Sequence, residues 1–407
     1  MKNIATKRGL IALALAGVIA APAAMADVTI SGAINFGLLY GDASGTGTTS
    51  GTGLQPNYSH MDLESVDDIG NGNKVIFHYQ FDISGTSTAN PGSAGGAVGN
   101  RNSFLGVAGT WGAFKMGVNE NVYERFMYQA DPLDGAAGPG GNLLILGTAS
   151  SAGGASTIFE VSQANCSVAA GGCMGFYRRA DKAIWYESPN WNGFTFEVDY
   201  TLSSYKTATT DPKLYSIGAK WQPEGMPFYV DVAIEQHDDM FGVSAITGTD
   251  TGSGSSDDGL QIGGGYTFGN LTLHLRYEQL TYEQEGVTAG VAIINVNEWE
   301  RNAYWFGAKY NLPSGYVGGA IGIAEEGECT LSGGGACAFG ADTGATLIGV
   351  GYFHNLSKQT QLQFIYNQVD NDNNAQYRDI GGSTLVSGNL APGNDYKGLF
   401  VGAKHTF

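Results

Sequence analysis

The chain has 407 residues, 63 of them Gly, and its 38 Asp and Glu against 20 Lys and Arg give a formal charge of −18. The 21 Tyr, 19 Phe and 6 Trp are too many for a disordered chain, and the acidic balance argues against a nucleic-acid-binding protein. Gly costs about 1 kcal/mol per helical position relative to Ala, which disfavours a helical fold. The composition indicates an acidic, Gly- and Tyr-rich β protein.

Residues 1–26 have the pattern of a secretory signal peptide. Three basic residues among the first eight precede an apolar stretch at 9–20, and Ala24-Met25-Ala26 provides a small-x-small cleavage site. A transmembrane anchor is the alternative, but a membrane helix needs about 20 apolar residues. Loss of the three basic residues changes the charge from −18 to −21. We therefore expect export of the mature chain, 27–407.

Apolar and polar residues alternate along the mature chain, which is the pattern of a strand with two unlike faces. In Leu271–Glu278, for example, three Leu and a Tyr alternate with Thr, His, Arg and Glu. Sixteen strands are predicted, at about 27–41, 57–65, 74–83, 100–108, 113–118, 179–188, 194–203, 213–221, 227–237, 259–268, 271–283, 301–310, 315–324, 345–354, 359–369 and 396–407.

Short and long connections alternate between these strands, and a soluble β-sandwich does not require that asymmetry. An even strand number with short turns at one end and long loops at the other is typical of an outer-membrane barrel, in which closure leaves no unpaired strand edge in the hydrocarbon. The fold prediction is an all-β, 16-stranded antiparallel transmembrane β-barrel. Its apolar face would contact lipid, and its polar face would line a water-filled interior with no need of a packed core.

Four motifs in chain order resemble the Gram-negative general porin family. They are Asp27–Gly37 for the first strand, Arg101–Val107 with Gly112–Gly117, Ile184–Phe194 with its Ser-Pro turn, and Val401–Phe407 at the end. The resemblance covers nearly the whole mature chain. It implies one porin domain over 27–407, short periplasmic turns, long extracellular loops and a homotrimer. It also implies that the third loop, residues 119–178, folds into the pore as a constriction loop.

The resemblance further implies a basic cluster on the second, fourth and sixth strands, facing acidic residues on the third loop. Carried over, Arg101 and Arg179 are the basic residues of the fourth and sixth strands, with Arg178 beside the latter. The second strand has His60 instead of Arg, which makes part of the wall pH-sensitive because His titrates near pH 6.5. The remaining constriction residues are Asp62 and Glu64 next to His60, and Glu120, Glu124, Asp131 and Asp134 on the loop.

Acidic residues outnumber basic ones at the positions predicted to face inward. We therefore expect a general diffusion porin that passes ions and small hydrophilic solutes with a preference for cations. The alternative for each of these residues is a solvated lumen charge that does not set selectivity. A substrate-specific sugar or solute channel is the alternative and would line the lumen with an aromatic track; Trp185, Trp305 and Phe400 are the candidates. An outer-membrane barrel enzyme is less well supported, since hydrolase and P-loop motifs are absent from the sequence.

Four cysteines form two locally spaced pairs, Cys166 with Cys173 and Cys329 with Cys337. In an exported chain they predict disulfides, and local pairing is favoured among the three possible connectivities. A zinc site is the alternative, but neither pair has a His nearby in the sequence.

The partners and location follow from the same features. The acidic extracellular loops predict diffuse Ca²⁺ or Mg²⁺ that bridges the protein to anionic lipopolysaccharide, with no cofactor and no specific metal site. Phe407 resembles the terminal residue that the barrel-assembly machinery reads during insertion. The expected location is the bacterial outer membrane, reached after signal-peptide export through the periplasm.

Overall fold

The wall of the molecule is a single antiparallel sheet of long strands. The computed structural model describes residues 28–45, 50–83, 100–133, 139–148, 175–176, 179–201, 206, 211–239, 254–284, 296–331, 333–335, 337, 340–377 and 391–407. The strands are β1 (Val28–Ala43), β2 (Gly51–Pro56 and His60–Gly70), β3 (Asn73–Asp82), β4 (Asn100–Gly109), β5 (Gly112–Glu120), β6 (Arg179–Glu187), β7 (Phe194–Thr201), β8 (Lys213–Trp221), β9 (Phe228–Asp238), β10 (Ser255–Phe268), β11 (Leu271–Gln284), β12 (Val296–Leu312), β13 (Gly315–Ala324 and Glu328–Leu331), β14 (Ala345–Asn355), β15 (Thr360–Asn371) and β16 (Tyr396–Thr406).

The sheet closes on itself. Each strand pairs with the next, and β1 pairs with β16 from Ala33 opposite Thr406 to Ala43 opposite Tyr396. Two strands are interrupted, at 57–59 in β2 and at 325–327 in β13, but both parts of β2 pair with β1 and both parts of β13 pair with β12. The predicted 16-stranded antiparallel barrel is therefore confirmed.

Most strands lie within two residues of the predicted bounds, and four differ by more: β2, β10, β12 and β13, the last of which continues at Glu328–Leu331. The predicted strand at 57–65 is broken at 57–59, where Tyr58 has a positive φ of 54°. β10 and β12 begin four and five residues earlier than predicted, at Ser255 and Val296. The added residues, 255–258 and 296–300, are mostly polar on both faces. They therefore lack the alternation of apolar and polar residues that predicts a strand.

The two faces of the wall have opposite character. Apolar side chains such as Leu275 and Val401 are exposed on the outside, and so are the aromatic residues at strand ends: Tyr40, Trp221, Tyr266, Tyr304 and Tyr310. Such an exposed apolar belt with aromatic residues near its borders matches the lipid-facing surface of an outer-membrane barrel. Within the described residues no helix is long and apolar enough to span the bilayer.

The interior contains a packed hydrophobic core, which contradicts the expectation of an interior without one. The third loop carries helix α1 (Val122–Tyr128) and a 3₁₀ turn (Asn142–Leu144). Their apolar side chains pack with inward-facing residues of β9, of β11 to β16 and of β1, among them Trp305 and Phe400. The sequence argument failed here because it considered the wall alone, whereas the loop brings its own apolar residues to one side of the interior.

Glycines on the inner face of the wall allow this close approach of the loop. A Cβ atom at Gly218 would lie 2.6 Å from Cγ1 of Val122, and one at Gly318 would lie 2.3 Å from the carbonyl oxygen of Pro132. Part of the high Gly content thus serves to seat the third loop against the wall.

Candidate functional site

The first described segment of the third loop is fixed to the wall through the start of α1. Asn121 caps this helix, with its Oδ1 accepting a hydrogen bond from the amide of Glu124 at 2.8 Å. The amide of Val122 donates to Oδ2 of Asp199 on β7 at 2.8 Å, and the amide of Tyr123 donates to Oγ of Ser216 on β8 at 3.0 Å. The wall therefore satisfies amide groups that a short helix leaves unpaired at its start.

A second anchor holds the turn that follows the 3₁₀ segment. The carboxylate of Glu278 on β11 accepts the amide of Gly147 at 2.7 Å and the hydroxyl of Tyr123 at 3.0 Å. It also pairs with Nη2 of Arg301 on β12 at 3.0 Å, and the same nitrogen donates to the carbonyl of Ile145 at 3.1 Å. Both charged side chains are buried, so this pair connects the loop to the barrel where water is excluded.

Four basic side chains near the described part of the loop are each paired with a carboxylate. The pairs are Arg101 with Asp82, Arg179 with Glu120 at 2.8 Å, Arg125 with Glu197, and Lys115 with Glu187 at 2.5 Å. Arg101 also lies over the ring of Tyr58, with Cζ 4.4 Å from the ring centroid. The sequence analysis named Arg101, Arg179 and Glu120 and expected the arginines to face acidic residues of the third loop, but it did not single out Asp82, Lys115 or Arg125 as constriction residues.

Glu124 is buried close to this group of charges. Burial and the neighbouring Glu120 raise the pKa of Glu124 to about 7, while Arg179, a hydrogen bond from the Tyr128 hydroxyl and Arg101 lower it. The structure thus brings together four of the predicted constriction residues: Arg101, Glu120, Glu124 and Arg179.

A second predicted group lies on β2 and faces the lumen from the wall. Nε2 of His60 is 3.4 Å from Oδ2 of Asp62, and Nε2 of His78 on β3 is 3.3 Å from Oδ1 of the same residue. Nδ1 of His78 contacts Oε1 of Glu64 at 2.9 Å. Sequence reasoning did not single out His78, although the alternation of β2 and β3 around their short turn places it directly opposite Glu64.

The remaining predicted residues lie in the third loop, in a disulfide, at the C-terminal end of the chain, or outside the described residues. Asp131 accepts hydrogen bonds from the amides of Leu133 at 2.9 Å and Asn142 at 3.4 Å, and so shapes the loop. Cys329 and Cys337 form a disulfide with a Cα–Cα distance of 5.7 Å. The side chain of Phe407 is exposed, and its backbone pairs with Gly32. Asp134, Arg178, Cys166, Cys173 and the signal segment 1–26 lie outside the described residues.

The three candidate aromatic residues face inward, and all three are buried. The indole nitrogen of Trp305 donates to the carbonyl of Ala130 in the loop at 3.0 Å, and Phe400 belongs to the same buried core. Trp185 packs edge-on against Phe104. Their burial does not favour the aromatic track of a substrate-specific channel.

A closed antiparallel barrel with an apolar belt outside, charged residues inside and a loop packed within it defines a channel of the outer-membrane class. The chain belongs to the Gram-negative porin family, whose sequence model matches residues 10–374. The family and the fold indicate a channel in the outer membrane rather than an enzyme, and they confirm the resemblance seen in the motifs.

Known relatives agree with this assignment. Outer membrane porin protein 32 of Delftia acidovorans is 24% identical over 408 residues, covering 98% of this chain and 100% of the relative. The major outer membrane protein P.IB of Neisseria meningitidis serogroup B is 34% identical over 119 residues, covering 27% of this chain and 33% of the relative. Among solved structures, an anion-selective porin from Comamonas acidovorans superposes with a TM-score of 0.68 at 21% identity, covering 94% and 100% of the two chains.

Proposed function

We propose that the protein is a general diffusion porin that lets ions and small hydrophilic solutes pass through a water-filled pore. One observation supports this most strongly: the described loop packs to one side of the interior, while inward charges on the other side retain access to solvent. The side chains of Asp82 and Glu187 are each 32% exposed, and that of Glu64 is 49% exposed. Single-channel recording of the purified protein tests the proposal, since a silent bilayer would contradict it.

We further propose a preference for cations, which the charge pairing at the described constriction supports. Arg101, Arg125, Arg179 and Lys115 are each neutralised by a carboxylate. Asp62 and Glu64, by contrast, have His60, His78 and Gln80 as neighbours, so their negative charge is retained whenever the imidazoles are neutral. The solved Comamonas porin is described as anion-selective, so the opposite preference is the competing outcome. In a KCl gradient, a reversal potential shifted toward the equilibrium potential of K⁺ supports the proposal. A shift toward the equilibrium potential of Cl⁻ contradicts it.

Arg101→Ala should increase the preference for cations. The change removes the partner of Asp82 and leaves that half-exposed carboxylate uncompensated in the lumen. We expect a measurable rise in the K⁺ to Cl⁻ permeability ratio at low salt, and a smaller rise at 1 M, where the Debye length falls to about 3 Å.

The matched control is Lys397→Ala, which removes an exposed positive charge from the outer face of β16. It should leave the permeability ratio close to the wild-type value. An equal shift in both variants would mean that net charge, and not the position of Arg101, sets the change.

The assembly belongs to the same proposal. We expect a homotrimer in the outer membrane, exported by the signal segment, inserted by the barrel-assembly machinery through the Phe407 end, and linked to lipopolysaccharide by diffuse Ca²⁺ or Mg²⁺. A porin fold that superposes on this chain with a TM-score of 0.61 is OmpT of Vibrio cholerae in a trimer form, at 15% identity and covering 94% of this chain and 99% of that one. Conductance that closes in three equal steps supports the trimer.

A further inference from the structure

We propose that the rings of Tyr58 and Phe104 help to set the ion preference of the channel by covering the basic partners of two ion pairs in the lumen. The proposal rests on the proposed function as a diffusion porin, and it adds two uncharged residues to those that determine selectivity. Each ring lies over a cation whose carboxylate partner stays open to water. An ion pair with no net charge then presents a negative face to the pore.

Arg101 is the first of the two covered cations. Its Cζ lies 4.4 Å from the centroid of the Tyr58 ring, a distance at which the face of the ring attracts a guanidinium. The side chain of Arg101 is 10% exposed, whereas that of its partner Asp82 is 32% exposed. The negative member of this pair is therefore the one that an ion in the lumen can approach.

Lys115 on β5 repeats this arrangement. Its Nζ lies 4.8 Å from the centroid of Phe104 on β4, and its side chain is 13% exposed against 32% for Glu187. The pair of Arg125 with Glu197 provides a comparison, because the described residues place no aromatic ring over Arg125. Its two side chains are 22% and 26% exposed. Of these three pairs, the two with a ring over the cation show the larger difference in exposure.

A bulge in the barrel wall aims the ring of Tyr58. Residues 57–59, at the interruption of β2, lie opposite only two residues of β1, 34 and 35, and an extra residue of this kind redirects a side chain. Tyr58 has a φ of 54°, a left-handed conformation that is unusual for a bulky aromatic residue. Such a conformation persists only where the surrounding structure enforces it, and it is often found at functional sites.

Hydrogen bonds fix the two residues beside Tyr58. The amide of Asn57 donates to the carbonyl oxygen of Asn35 on β1 at 2.8 Å. Oγ of Ser59 donates to the same oxygen at 3.0 Å and accepts from the amide of Asn35 at 2.9 Å. Because the chain on each side of Tyr58 is attached to β1, the ring is held in its place over Arg101.

Two further lysines in the lumen lie against aromatic rings. Nζ of Lys220 on β8 is 4.9 Å from the ring centroid of Tyr229 on β9, and Nζ of Lys309 on β12 is 3.9 Å from that of Tyr316 on β13. Cover of this kind is therefore repeated around the inner wall. Tyr58 and Phe104 are the two rings beside the charge pairs of the constriction, where the charges presented to a passing ion decide its preference.

The test changes the rings without changing any formal charge. Tyr58→Asn removes one ring, and Asn adopts a positive φ more readily than Tyr, so the bulge should be retained. Phe104→Leu is an independent second variant that keeps an apolar side chain beside Lys115 but removes the ring. Tyr58→Phe is the matched control, since it keeps a ring over Arg101. Reversal potentials in a KCl gradient are measured for each protein in planar bilayers.

The expected result is a weaker preference for cations in the two variants without a ring. The K⁺ to Cl⁻ permeability ratio should fall by about twofold in Tyr58→Asn and in Phe104→Leu near 0.1 M KCl, where the Debye length is about 10 Å. Tyr58→Phe should keep the wild-type ratio. In an Arg101→Ala background, Tyr58→Asn should have no further effect, because the charge that the ring covers is already absent.

Three results would overturn the role of the rings. One is an equal fall in Tyr58→Phe, which would assign the effect to the hydroxyl. Another is a fall that persists in the Arg101→Ala background, and the third is an unchanged ratio in both Tyr58→Asn and Phe104→Leu. In each of these cases a conducting wild type leaves the porin function in place, whereas a silent wild-type channel would contradict the porin function and the proposal together.

Discussion

A Glu278→Leu variant should conduct more current per open channel than the wild type, with larger current fluctuations. Glu278 accepts hydrogen bonds from Gly147 and Tyr123 in the third loop and pairs with Arg301. Its removal leaves the buried Arg301 without its carboxylate partner, and breaking such a pair typically costs about 3–5 kcal/mol. The loop should then leave the wall for part of the time and widen the path. Single-channel conductance and its noise spectrum measure both effects.

Two further variants make this experiment decisive. Glu300→Gln on β12 removes a carboxylate whose partner is Gln279 on the neighbouring strand, so it should leave the conductance near the wild-type value. The double variant Glu278→Leu/Arg301→Leu removes the unpaired charge and should restore part of the loop's stability. The hydrogen bonds from Gly147 and Tyr123 remain absent in it. If Glu278→Leu inserts normally and shows wild-type conductance and noise, the anchor does not hold the loop in place.

The strands of the barrel could be predicted from the sequence because each one depends on a residue pattern within its own short segment. Lys213–Trp221 was predicted to the residue, and Leu271–Gln284 differs by one residue at its end. In both, the alternation of apolar and polar residues follows directly from lipid on one side and a polar interior on the other. Where a strand is polar on both faces, as in Ser255–Asp258 at the start of β10, this contrast disappears and the prediction fails.

Only some of the charged residues at the constriction could be predicted from the sequence. The positions of Arg101 and Arg179 follow from their motifs, but the backbone near them is irregular: the register shifts between Tyr79 and Phe81 on β3, and between Gly117 and Asn119 on β5. Simple alternation cannot predict which side a residue faces after such a bulge. The pair of Arg101 with Asp82 could therefore not be predicted from alternation, whereas the family resemblance did imply that Arg179 faces acidic residues such as Glu120.

The resemblance implied that the third loop folds into the pore, but its individual contacts with the wall could not be predicted from the sequence. Its contacts join residues far apart in sequence, such as Arg301 and the carbonyl of Ile145, which are 156 positions apart. The apolar turn around Leu143 and Leu144 carries no periodic pattern that could distinguish a buried segment from an external loop. Only the three-dimensional arrangement shows that inward glycines and apolar wall residues accommodate it.

The ion preference should change with pH near 7 through Glu124. Burial raises the pKa of this carboxyl to about 7, so it is neutral below that pH and negative above it. The K⁺ to Cl⁻ permeability ratio should therefore rise between pH 6 and pH 8, since the added negative charge lies beside Glu120 and Arg179. The docked loop is at the same time less stable at the higher pH: a carboxyl with a raised folded-state pKa loses its stabilising proton as the pH rises through 7.

Variants separate the effect of Glu124 from any contribution of the lumen histidines His60 and His78. Reversal potentials are measured in a His60→Gln/His78→Gln background, where a step near pH 7 should persist, and Glu124→Gln should abolish it. Tyr128→Phe removes the hydrogen bond that lowers the pKa of Glu124 and should move the midpoint to higher pH. A step that survives Glu124→Gln, or that shifts to lower pH in Tyr128→Phe, would assign the titration to another group. Because the Tyr128 variant leaves every formal charge in place, its shift depends on the hydrogen bond to Glu124 and not on the net charge of the pore.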